Sequence, residues 1–398
     1  MNILNKFTEK ELEVINEIKK ASIETNIKIY IIGGAIRDII LNNKINDIDI
    51  CLEGEPKELI YRMKNIKEYI YYDEFHTSTI KFQNNIQIDL IGCRKEKYEY
   101  EGALPKITLS NIKNDLERRD FTINALAYDI VEDKILDFFN GMEDLRKGKI
   151  IKIHNNSYME DGTRIFRAIK YSIRYGFKIE DEKEIRESIT KGTLKNISND
   201  RIVSELYSLC TEENWIEAIK QCYKYNLLDI DLNLLGLENI LLDYSNIYVR
   251  ILNVLYSIKG EHGQSIFIDN SFLDKDLRKP IDKYLQNKEI YSLSLSNAKG
   301  NYEIYKILSK TYSFERVLLA WNLKFRYKVY NYEKNIRVID LTMNGQDIKK
   351  LGIKEGKEIG LILEYMKKYK INLGLLDEEN FLIDNMGEIK NAIKYKNT

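Results

Sequence analysis

The chain has 398 residues, and its 62 Lys and Arg balance 62 Asp and Glu, so the formal net charge is zero. With 44% hydrophobic residues it has enough apolar material for a packed core, which excludes a wholly disordered chain. One core rarely serves more than about 250–300 residues, so more than one structural unit is expected. A net charge of zero argues at first against a nucleic-acid partner. Because net charge does not show where the charges lie, their distribution along the chain must also be considered.

The cysteine pattern and the hydropathy of the chain indicate the cellular compartment. Cys51, Cys93, Cys210 and Cys222 form no CxxC pair, which argues against a zinc site or a disulfide framework and favours a reducing compartment. No apolar run approaches the roughly 20 residues that a membrane span needs. We therefore expect a cytoplasmic protein with no membrane contact, and no protein partner is evident.

The first 150 residues predict an α/β domain. The apolar run Ile29–Ile32 ends at Gly33-Gly34, which is typical of a buried strand that meets a tight turn, and residues 35–41 then begin a helix. Residues 47–52 alternate polar and apolar side chains, the period of a strand. Residues 79–82 and 86–91 flank Asn84-Asn85 and predict a hairpin.

After about residue 155 the pattern becomes helical to the C-terminus. Ile165, Ala168 and Ile169 fall on one face of a helix that Gly176 ends. Ser198 is an N-cap for the next helix.

The segment from Tyr30 to Leu52 holds the densest candidate chemistry. A strand, a Gly33-Gly34 turn and a helix start present free backbone N–H groups to a phosphate, with Arg37 one turn along. Asp47 and Asp49, two residues apart on a strand, project from one face, and Mg²⁺ is the ion that neutralises such a pair beside phosphate. Asp89, on a neighbouring predicted strand, is a possible third carboxylate. Each feature alone is more often a plain turn or a solvated face; their conjunction is much less common by chance.

Six strings, in order, resemble the class II tRNA nucleotidyltransferases and bacterial poly(A) polymerases of the polymerase-β-like superfamily. They are GGAIRDIILNNKINDIDI (33–50), RRDFTINALAYD (118–129), LDFFNGMEDLRKGKI (136–150), EDGTRIFRAIKYSIRYGF (160–177), SNDRIVSEL (198–206) and MNGQDIKKLGIKEGKEIG (343–360). The resemblance implies an α/β head with a polymerase-β-like nucleotidyltransferase sheet, followed by an all-α neck, body and tail. We expect the catalytic head at residues 1–150, the neck at 151–212, the body at 213–300 and the tail at 301–398.

The same resemblance implies addition of CCA to tRNA 3′ ends. An RNA 3′-hydroxyl would attack the α-phosphate of CTP or ATP and release pyrophosphate, with two Mg²⁺ activating the hydroxyl and stabilising the leaving oxygen. Asp47 and Asp49 carry over as metal ligands, with Asp89 a weaker catalytic candidate. The implied NTP-binding residues are Gly33, Gly34, Arg37, Arg119, Asp161, Arg164 and Arg167.

Asp161 and Arg164 are expected to choose the base. Lying one helical turn apart, they place a hydrogen-bond acceptor beside a donor. Cytosine offers its N4 amino group beside N3, and adenine its N6 amino group beside N1, so one pair of side chains can recognise both. Arg167 should face the same ligand, and Glu160 is expected to orient Arg164. The plainer alternative is an intrahelical Asp161–Arg164 salt bridge.

Two basic stretches are candidate RNA contacts. Residues 162–178 carry five basic residues and no acidic one, and residues 306–337 carry eight basic and two acidic residues among aromatic ones. Trp321 and Phe325, spaced i,i+4, are more simply explained as core. The resemblance implies that body and tail hold the acceptor–TΨC arm of tRNA.

Several alternatives stay open. Poly(A) polymerase is the close rival, but the tail motif around Gly345 and Gly352 and a loop-like stretch at 89–107 favour CCA addition; CC-only and A-only enzymes are not excluded. A non-catalytic RNA-binding relative is disfavoured by the Asp47 and Asp49 pair, and an aminoglycoside-type nucleotidyltransferase has no need of the EDxxR motif. None of His76, His154 and His262 is followed by Asp, which excludes a fused HD phosphohydrolase.

Overall fold

The computed structural model describes residues 3–45, 47–97, 99, 105–233, 235, 247–259, 275–353, 356–374 and 377–396. Parts of the expected loop at 89–107 and of the tail motif at 343–360 lie outside these residues. The chain divides into two compact units, residues 1–229 and residues 230–398. Among the described residues, no helix combines the length and the apolar character that a membrane crossing requires.

The first unit contains every strand of the structure's described part. The strands are β1 (Ile29–Ile32), β2 (Asp49–Leu52), β3 (Ile66–Tyr72), β4 (Thr77–Phe82), β5 (Gln87–Gly92), β6 (Arg94–Lys97), β7 (Lys106–Leu109), β8 (Leu126–Asp129), β9 (Lys134–Asp137), β10 (Lys149–Ile150) and β11 (Lys178–Ile179). Its α-helices are α1 (Glu9–Thr25), α2 (Gly34–Ile40), α3 (Pro56–Ile60), α4 (Ile112–Glu117), α5 (Gly141–Lys147), α6 (Ser157–Glu160), α7 (Thr163–Tyr175), α8 (Glu182–Lys191), α9 (Asn199–Cys210) and α10 (Trp215–Lys224).

Seven strands form one mixed sheet in the order β3-β4-β5-β2-β1-β8-β9. Only β2 and β5 pair in parallel, and the other neighbours are antiparallel. The interior strand β1 is buried along its whole length, as its unbroken apolar run predicts. The predicted α/β head is thus confirmed, including the β4–β5 hairpin, where Asn85 takes a positive φ of 66°.

Capping residues predicted from the sequence fix the ends of two helices that follow the sheet. The Ser198 hydroxyl accepts a hydrogen bond from the Arg201 amide at the start of α9, and Gly176 ends α7 in the left-handed conformation. The predicted apolar face of α7 is buried at Ile165, Ala168 and Ile169. The helical character predicted after residue 155 is therefore confirmed for the described part of the chain, apart from the two-residue strand β11, which pairs in parallel with β10.

The second unit is helical. Its α-helices are α11 (Ile247–Ser257), α12 (Lys275–Asn297), α13 (Asn301–Leu308), α14 (Ser313–Trp321), α15 (Leu323–Asn331), α16 (Gly345–Lys350), α17 (Gly356–Leu373) and α18 (Glu378–Lys396). A π-helical turn, Tyr332–Ile336, follows α15. Two apolar clusters stabilise this unit, one around Leu308 and Phe325 and one around Ile362 and Met366.

Candidate nucleotide-binding site

A cavity of about 520 Å³ lies in the first unit between the strand ends of the sheet and helix α7. Eight of the ten predicted site residues line it: Gly33, Gly34, Arg37, Asp49, Arg119, Asp161, Arg164 and Arg167. Asp47 and Asp89 are not among the lining residues. The fold therefore joins the Gly-Gly turn, one carboxylate and the EDxxR segment, although more than 110 residues separate the ends of this set.

The acidic part of the site brings three carboxylates close together. Asp49 begins β2 and lies opposite Asp89 in the parallel pairing of β2 with β5. Burial, together with the nearby charges of Asp89 and Asp47, raises the pKa of Asp49 to about 6, against the opposing pull of Arg119. One carboxylate oxygen of Asp89, Oδ1, is buried and has no hydrogen-bond partner among the described residues. Crowded carboxylates with an orphaned oxygen fit a divalent cation.

The strand expected for both Asp47 and Asp49 is shorter than predicted. β2 begins at Asp49, so Asp47 precedes the strand and the alternation that was expected to align the two carboxylates does not extend to it. Within the described part of the chain, no group of three or more His, Cys, Asp or Glu side chains is arranged to hold a metal ion. The candidate ligands for a cation are therefore Asp47 and Asp49, together with the unpartnered Oδ1 atom of Asp89.

The turn at Gly33 requires glycine for two reasons. Its φ is +64°, and a Cβ at this position would lie 2.7 Å from Nη1 of Arg119. Gly34 follows as the first residue of α2. The guanidinium of Arg119 therefore occupies the space that a side chain at position 33 would need, on one wall of the cavity.

A buried carboxylate holds the two arginines of the RRDFT motif. Asp115, fully buried, accepts hydrogen bonds from Nη2 of Arg118 at 2.6 Å and Nη2 of Arg119 at 3.0 Å. Burial alone would raise the pKa of Asp115, but Arg119 and Arg118 outweigh it and lower that pKa. Arg118 also donates to Glu96 at 3.0 Å. The two arginines thus share one buried counter-charge.

Five side chains form a closed ring of contacts, which we name the side-chain ring: Arg37, Asn124, Asp120, Arg167 and Tyr171. Arg37 Nη1 donates to Asn124 Oδ1 at 2.5 Å, and Asn124 Nδ2 donates to Asp120 Oδ1 at 2.9 Å. Arg167 Nε donates to Asp120 Oδ2 at 2.6 Å, and its Nη2 donates to the Tyr171 hydroxyl at 3.1 Å. The Tyr171 ring closes the circuit, because the Arg37 guanidinium lies 5.1 Å from its centroid.

The described residues show no ion pair between Asp161 and Arg164, so the plainer alternative of an intrahelical salt bridge is not found. The expected placement of both residues on one helix is wrong. Helix α7 begins only at Thr163, and Asp161 lies before it in an extended conformation. Its carboxylate accepts from the Thr163 amide and hydroxyl and from Nη2 of Arg201, at 2.8 Å to each oxygen. Two residues before the helix start, Asp161 accepts hydrogen bonds from Thr163, the first residue of α7, and does not share a helical face with Arg164.

Arg164 is buried and held by the protein around it. Its Nη1 donates to the Ser157 hydroxyl at 2.7 Å, and its Nη2 donates to the Arg118 carbonyl at 3.0 Å. Glu160, expected to orient Arg164, instead faces His154, whose Nε2 lies 3.4 Å from a Glu160 oxygen. His154 in turn lies 3.5 Å from Nη1 of Arg164, so any influence of Glu160 on Arg164 passes through the imidazole.

Much of the positive charge in the two basic stretches has protein partners. In the first stretch Arg167 pairs with Asp120, Lys170 donates to Ser208 and Arg174 pairs with Glu212. In the second, Arg316 is buried against Glu333. Trp321 and Phe325 are buried in the core of the second unit, as predicted.

The sequence did not single out several residues that line or support the cavity. Asp120, Asn124, Tyr171 and Glu205 line it, and Arg201 holds Asp161. Asp120 and Asn124 lie inside the RRDFTINAL string and Arg201 inside SNDRIVSEL, so their positions within motifs were the available signal.

Comparisons with known proteins agree with this fold. Residues 29–151 match the Poly A polymerase head domain, so the class of the first domain is a nucleotidyltransferase head. The match covers the first domain, and over most of its length the chain is similar to curated proteins named CCA-adding enzyme. Nucleotidyltransferases generally use a divalent metal ion.

Two curated relatives differ in the nucleotides that their names say they add. The chain is 29% identical over 381 residues to the A-adding tRNA nucleotidyltransferase of Aquifex aeolicus, a match that covers 87% of this chain and 45% of that protein. It is 28% identical over 383 residues to the CCA-adding enzyme of Lactobacillus johnsonii, covering 90% of this chain and 91% of the other. The chain spans only 25% to 52% of the length of three A-adding relatives that it matches.

A solved structure shares the fold along the whole chain. The Thermotoga maritima CCA-adding enzyme, complexed with tRNA, superposes with a TM-score of 0.71 at 24% identity and covers 98% of both chains. At this level of identity the likeness establishes the fold.

Proposed function

We propose that the protein is a template-independent RNA nucleotidyltransferase that adds CCA to tRNA 3′ ends from CTP and ATP and releases pyrophosphate. The observation that carries the proposal is the single cavity that joins Gly33, Asp49, Asp161 and Arg164. Phosphate, metal and base recognition are thus available to one nucleotide. The relatives that match this chain over about nine-tenths of both lengths and are named CCA-adding enzymes support the choice of product.

Asp47 and Asp49 are proposed to hold Mg²⁺, with Asp89 as a further catalytic carboxylate behind them. When bound, Mg²⁺ neutralises the carboxylates, makes the attacking hydroxyl more acidic and stabilises the leaving oxygen. The raised pKa of Asp49 and the unpartnered oxygen of Asp89 are the features of this chain that fit such an ion.

Gly33, Gly34, Arg37 and Arg119 are proposed to hold the triphosphate. Gly33 and Arg119 lie against each other, so a phosphate placed there meets backbone and guanidinium together. Most of the work of these residues would be positioning and charge compensation, as in other phosphoryl transfers.

Asp161 and Arg164 are proposed to recognise the base although they do not pair. The Asp161 Oδ2 atom accepts from Arg201 and keeps capacity for a second donor, the amino group of cytosine or adenine. Arg164 uses Nη1 and Nη2 for protein contacts and keeps Nε for a ring nitrogen acceptor. Guanine and uracil present a carbonyl in place of the amino group, and each wrong contact costs about 1–3 kcal/mol by analogy with base recognition in DNA. Arg167, held by Asp120, is proposed to flank the same ligand.

The helical region is proposed to bind the acceptor–TΨC arm of tRNA, with residues 151–212 as neck, 213–300 as body and 301–398 as tail. In the second unit Tyr327 is 76% exposed and Tyr312 46% exposed, which suits stacking on RNA, while Lys324 is exposed for phosphates. A tRNA substrate with CTP and ATP also agrees with the cytoplasmic location expected from the sequence.

A-only addition is the second candidate, because three relatives of this chain are named A-adding tRNA nucleotidyltransferases. The cavity residues serve either reaction. The difference must therefore be measured as a product and not inferred from the base contacts.

The test is incorporation with Mg²⁺ on two tRNA transcripts, one ending at the discriminator base and one ending in CC. We expect C, C and A on the first and a single A on the second, resolved on a sequencing gel and abolished by EDTA. Addition of A to the CC-ended transcript alone would establish A-only activity, and long A tails would establish the poly(A) rival. Absence of incorporation with any RNA and NTP, under conditions where the tRNA binds, would favour a non-catalytic relative.

A further inference from the structure

Tyr175 lies beside the nucleotide cavity without lining it. It ends helix α7, and its ring centroid is 5.1 Å from the Arg37 guanidinium carbon. Its hydroxyl donates to Asp38 Oδ1 at 2.9 Å. Burial raises the pKa of Tyr175 to about 12, so the hydroxyl keeps its proton near neutral pH. Tyr175 thus contacts the phosphate-side arginine from outside the cavity.

The guanidinium group of Arg37 contacts four described side chains. Nε and Nη2 donate to the two carboxylate oxygens of Asp38, each at 3.1 Å, and Nη1 donates to Asn124. Tyr171 and Tyr175 stack with 6.1 Å between their centroids, and the guanidinium lies against both rings. Only 5% of Arg37 is exposed. A long, flexible side chain is thereby fixed in one orientation on the cavity wall.

This arrangement joins the two helices that the proposed reaction uses. Arg37 belongs to α2, which follows the Gly-Gly turn, whereas Tyr171 and Tyr175 belong to α7, which follows Asp161. The side-chain ring joins the same helices through Asn124 and Asp120. Tyr175 adds a second link, through Asp38, that is not part of the ring.

Resting on the proposed function, we propose that Tyr175 is a positioning residue for nucleotide binding, which orients Arg37 by stacking on its guanidinium and hydrogen bonding to Asp38. It contacts no cavity-bound nucleotide itself. Its loss must therefore act through Arg37, and it must act equally on CTP and ATP, because Arg37 lies on the phosphate side and not at the base.

The test compares Tyr175→Leu and Tyr175→Phe with Tyr223→Leu, a matched change at an exposed tyrosine of α10 in the same unit. Binding of CTP and ATP to the full chain is measured by isothermal titration calorimetry, and KM and kcat by single-nucleotide addition. For Tyr175→Leu we expect about tenfold weaker binding of both nucleotides, the size typical of a partly desolvated cation–π contact. We expect KM to rise more than kcat falls. Tyr175→Phe keeps the ring and should retain most of the affinity, and Tyr223→Leu should match the wild type.

A double variant distinguishes positioning from general destabilisation. If Tyr175 acts through Arg37, adding Tyr175→Leu to Arg37→Lys should weaken binding no further than Arg37→Lys alone. Independent, additive losses would overturn the proposal, as would a Tyr175→Leu protein that binds both nucleotides like the wild type. Failure of the proposed function is a separate result, since it would appear as a wild-type protein that transfers no nucleotide.

Discussion

Asp161 is held by Arg201, a residue 40 positions later, whose Nη2 lies 2.8 Å from both carboxylate oxygens. The pair is partly exposed, so its contribution to stability is small, but it fixes the direction of the carboxylate. Helix α9 thereby orients the acceptor that precedes helix α7.

Replacing Arg201 should relax base choice more than it slows correct addition. In Arg201→Met the aliphatic stem is kept, while the Asp161 carboxylate loses the guanidinium and keeps its contacts with Thr163. We expect misincorporation from GTP and UTP to rise about tenfold, since each wrong base contact is worth about 1–3 kcal/mol. The measurement is relative kcat/KM for the four NTPs. Arg62→Met, at an exposed position, is the control, and unchanged selectivity in Arg201→Met would contradict the prediction.

Asp49→Asn should abolish transfer and yet stabilise the metal-free protein at neutral pH. Losing a proposed metal ligand is expected to lower kcat by a factor of about a thousand or more, while tRNA binding stays nearly intact. Activity is measured by incorporation and binding by filter retention of labelled tRNA. Full activity of the Asn variant would contradict the assignment of Asp49.

The stability effect has a defined pH window. The pKa of Asp49 is about 6 in the folded protein against an ordinary 3.8, so folding favours its protonated form. The wild type therefore loses stability as pH rises from about 4 to about 6 and bears the full penalty above that range. Asn imitates the protonated form, so the variant should be about 1–3 kcal/mol more stable at pH 7.5 and gain little at pH 4. Thermal unfolding in EDTA at both pH values provides the comparison.

Gly33→Ala should damage nucleotide binding through Arg119. The new methyl group would lie 2.7 Å from the guanidinium and would strain a backbone with φ of +64°. We expect destabilisation of about 1–2 kcal/mol and at least a tenfold rise in KM for both nucleotides. Gly360→Ala, in helix α17 with open space around its Cβ position, is the matched control. It should be neutral or slightly stabilising, because alanine favours the helix.

Asp115→Asn should reveal how strongly the buried carboxylate supports the RRDFT arginines. The amide keeps the shape of the side chain but leaves Arg118 and Arg119 without their shared counter-charge. Breaking a buried pair in this way is expected to lower the free energy of unfolding by about 3 kcal/mol. The temperature of the first unfolding transition in calorimetry should fall accordingly. Asp200→Asn, exposed at the start of α9, should change stability by less than about 1 kcal/mol. Equal effects in the two variants would rule out a special role for Asp115.

Local patterns in the sequence predicted the elements well. The apolar run of β1, the Ser198 cap and the Gly176 helix end depend on neighbours within a few residues, and each appears in the structure. Motif strings likewise collected the residues of the cavity, since eight predicted residues line it.

The sequence could not predict which side chains form hydrogen bonds or ion pairs with each other. Asp161 and Arg164 have helical spacing, but the helix begins two residues after Asp161, so tertiary contacts decide where each side chain points. Arg201 for Asp161 and Asp120 for Arg167 come from segments brought together only by folding. The short start of β2 is similar, because backbone pairing with β5, and not alternation alone, sets where that strand begins.

The side-chain ring constrains how such a site can be redesigned or diverge. Because Asp120 contacts Asn124 and Arg167 at once, and Arg167 contacts Tyr171, a change at any one of them is expected to disturb the proposed phosphate and base contacts together. Substitutions within the ring should therefore be tolerated only in compensating sets. Asp161 and Arg201 lie outside the ring. An attempt to give this scaffold a different base preference should begin with those two positions, where variation is separable from the proposed triphosphate contacts.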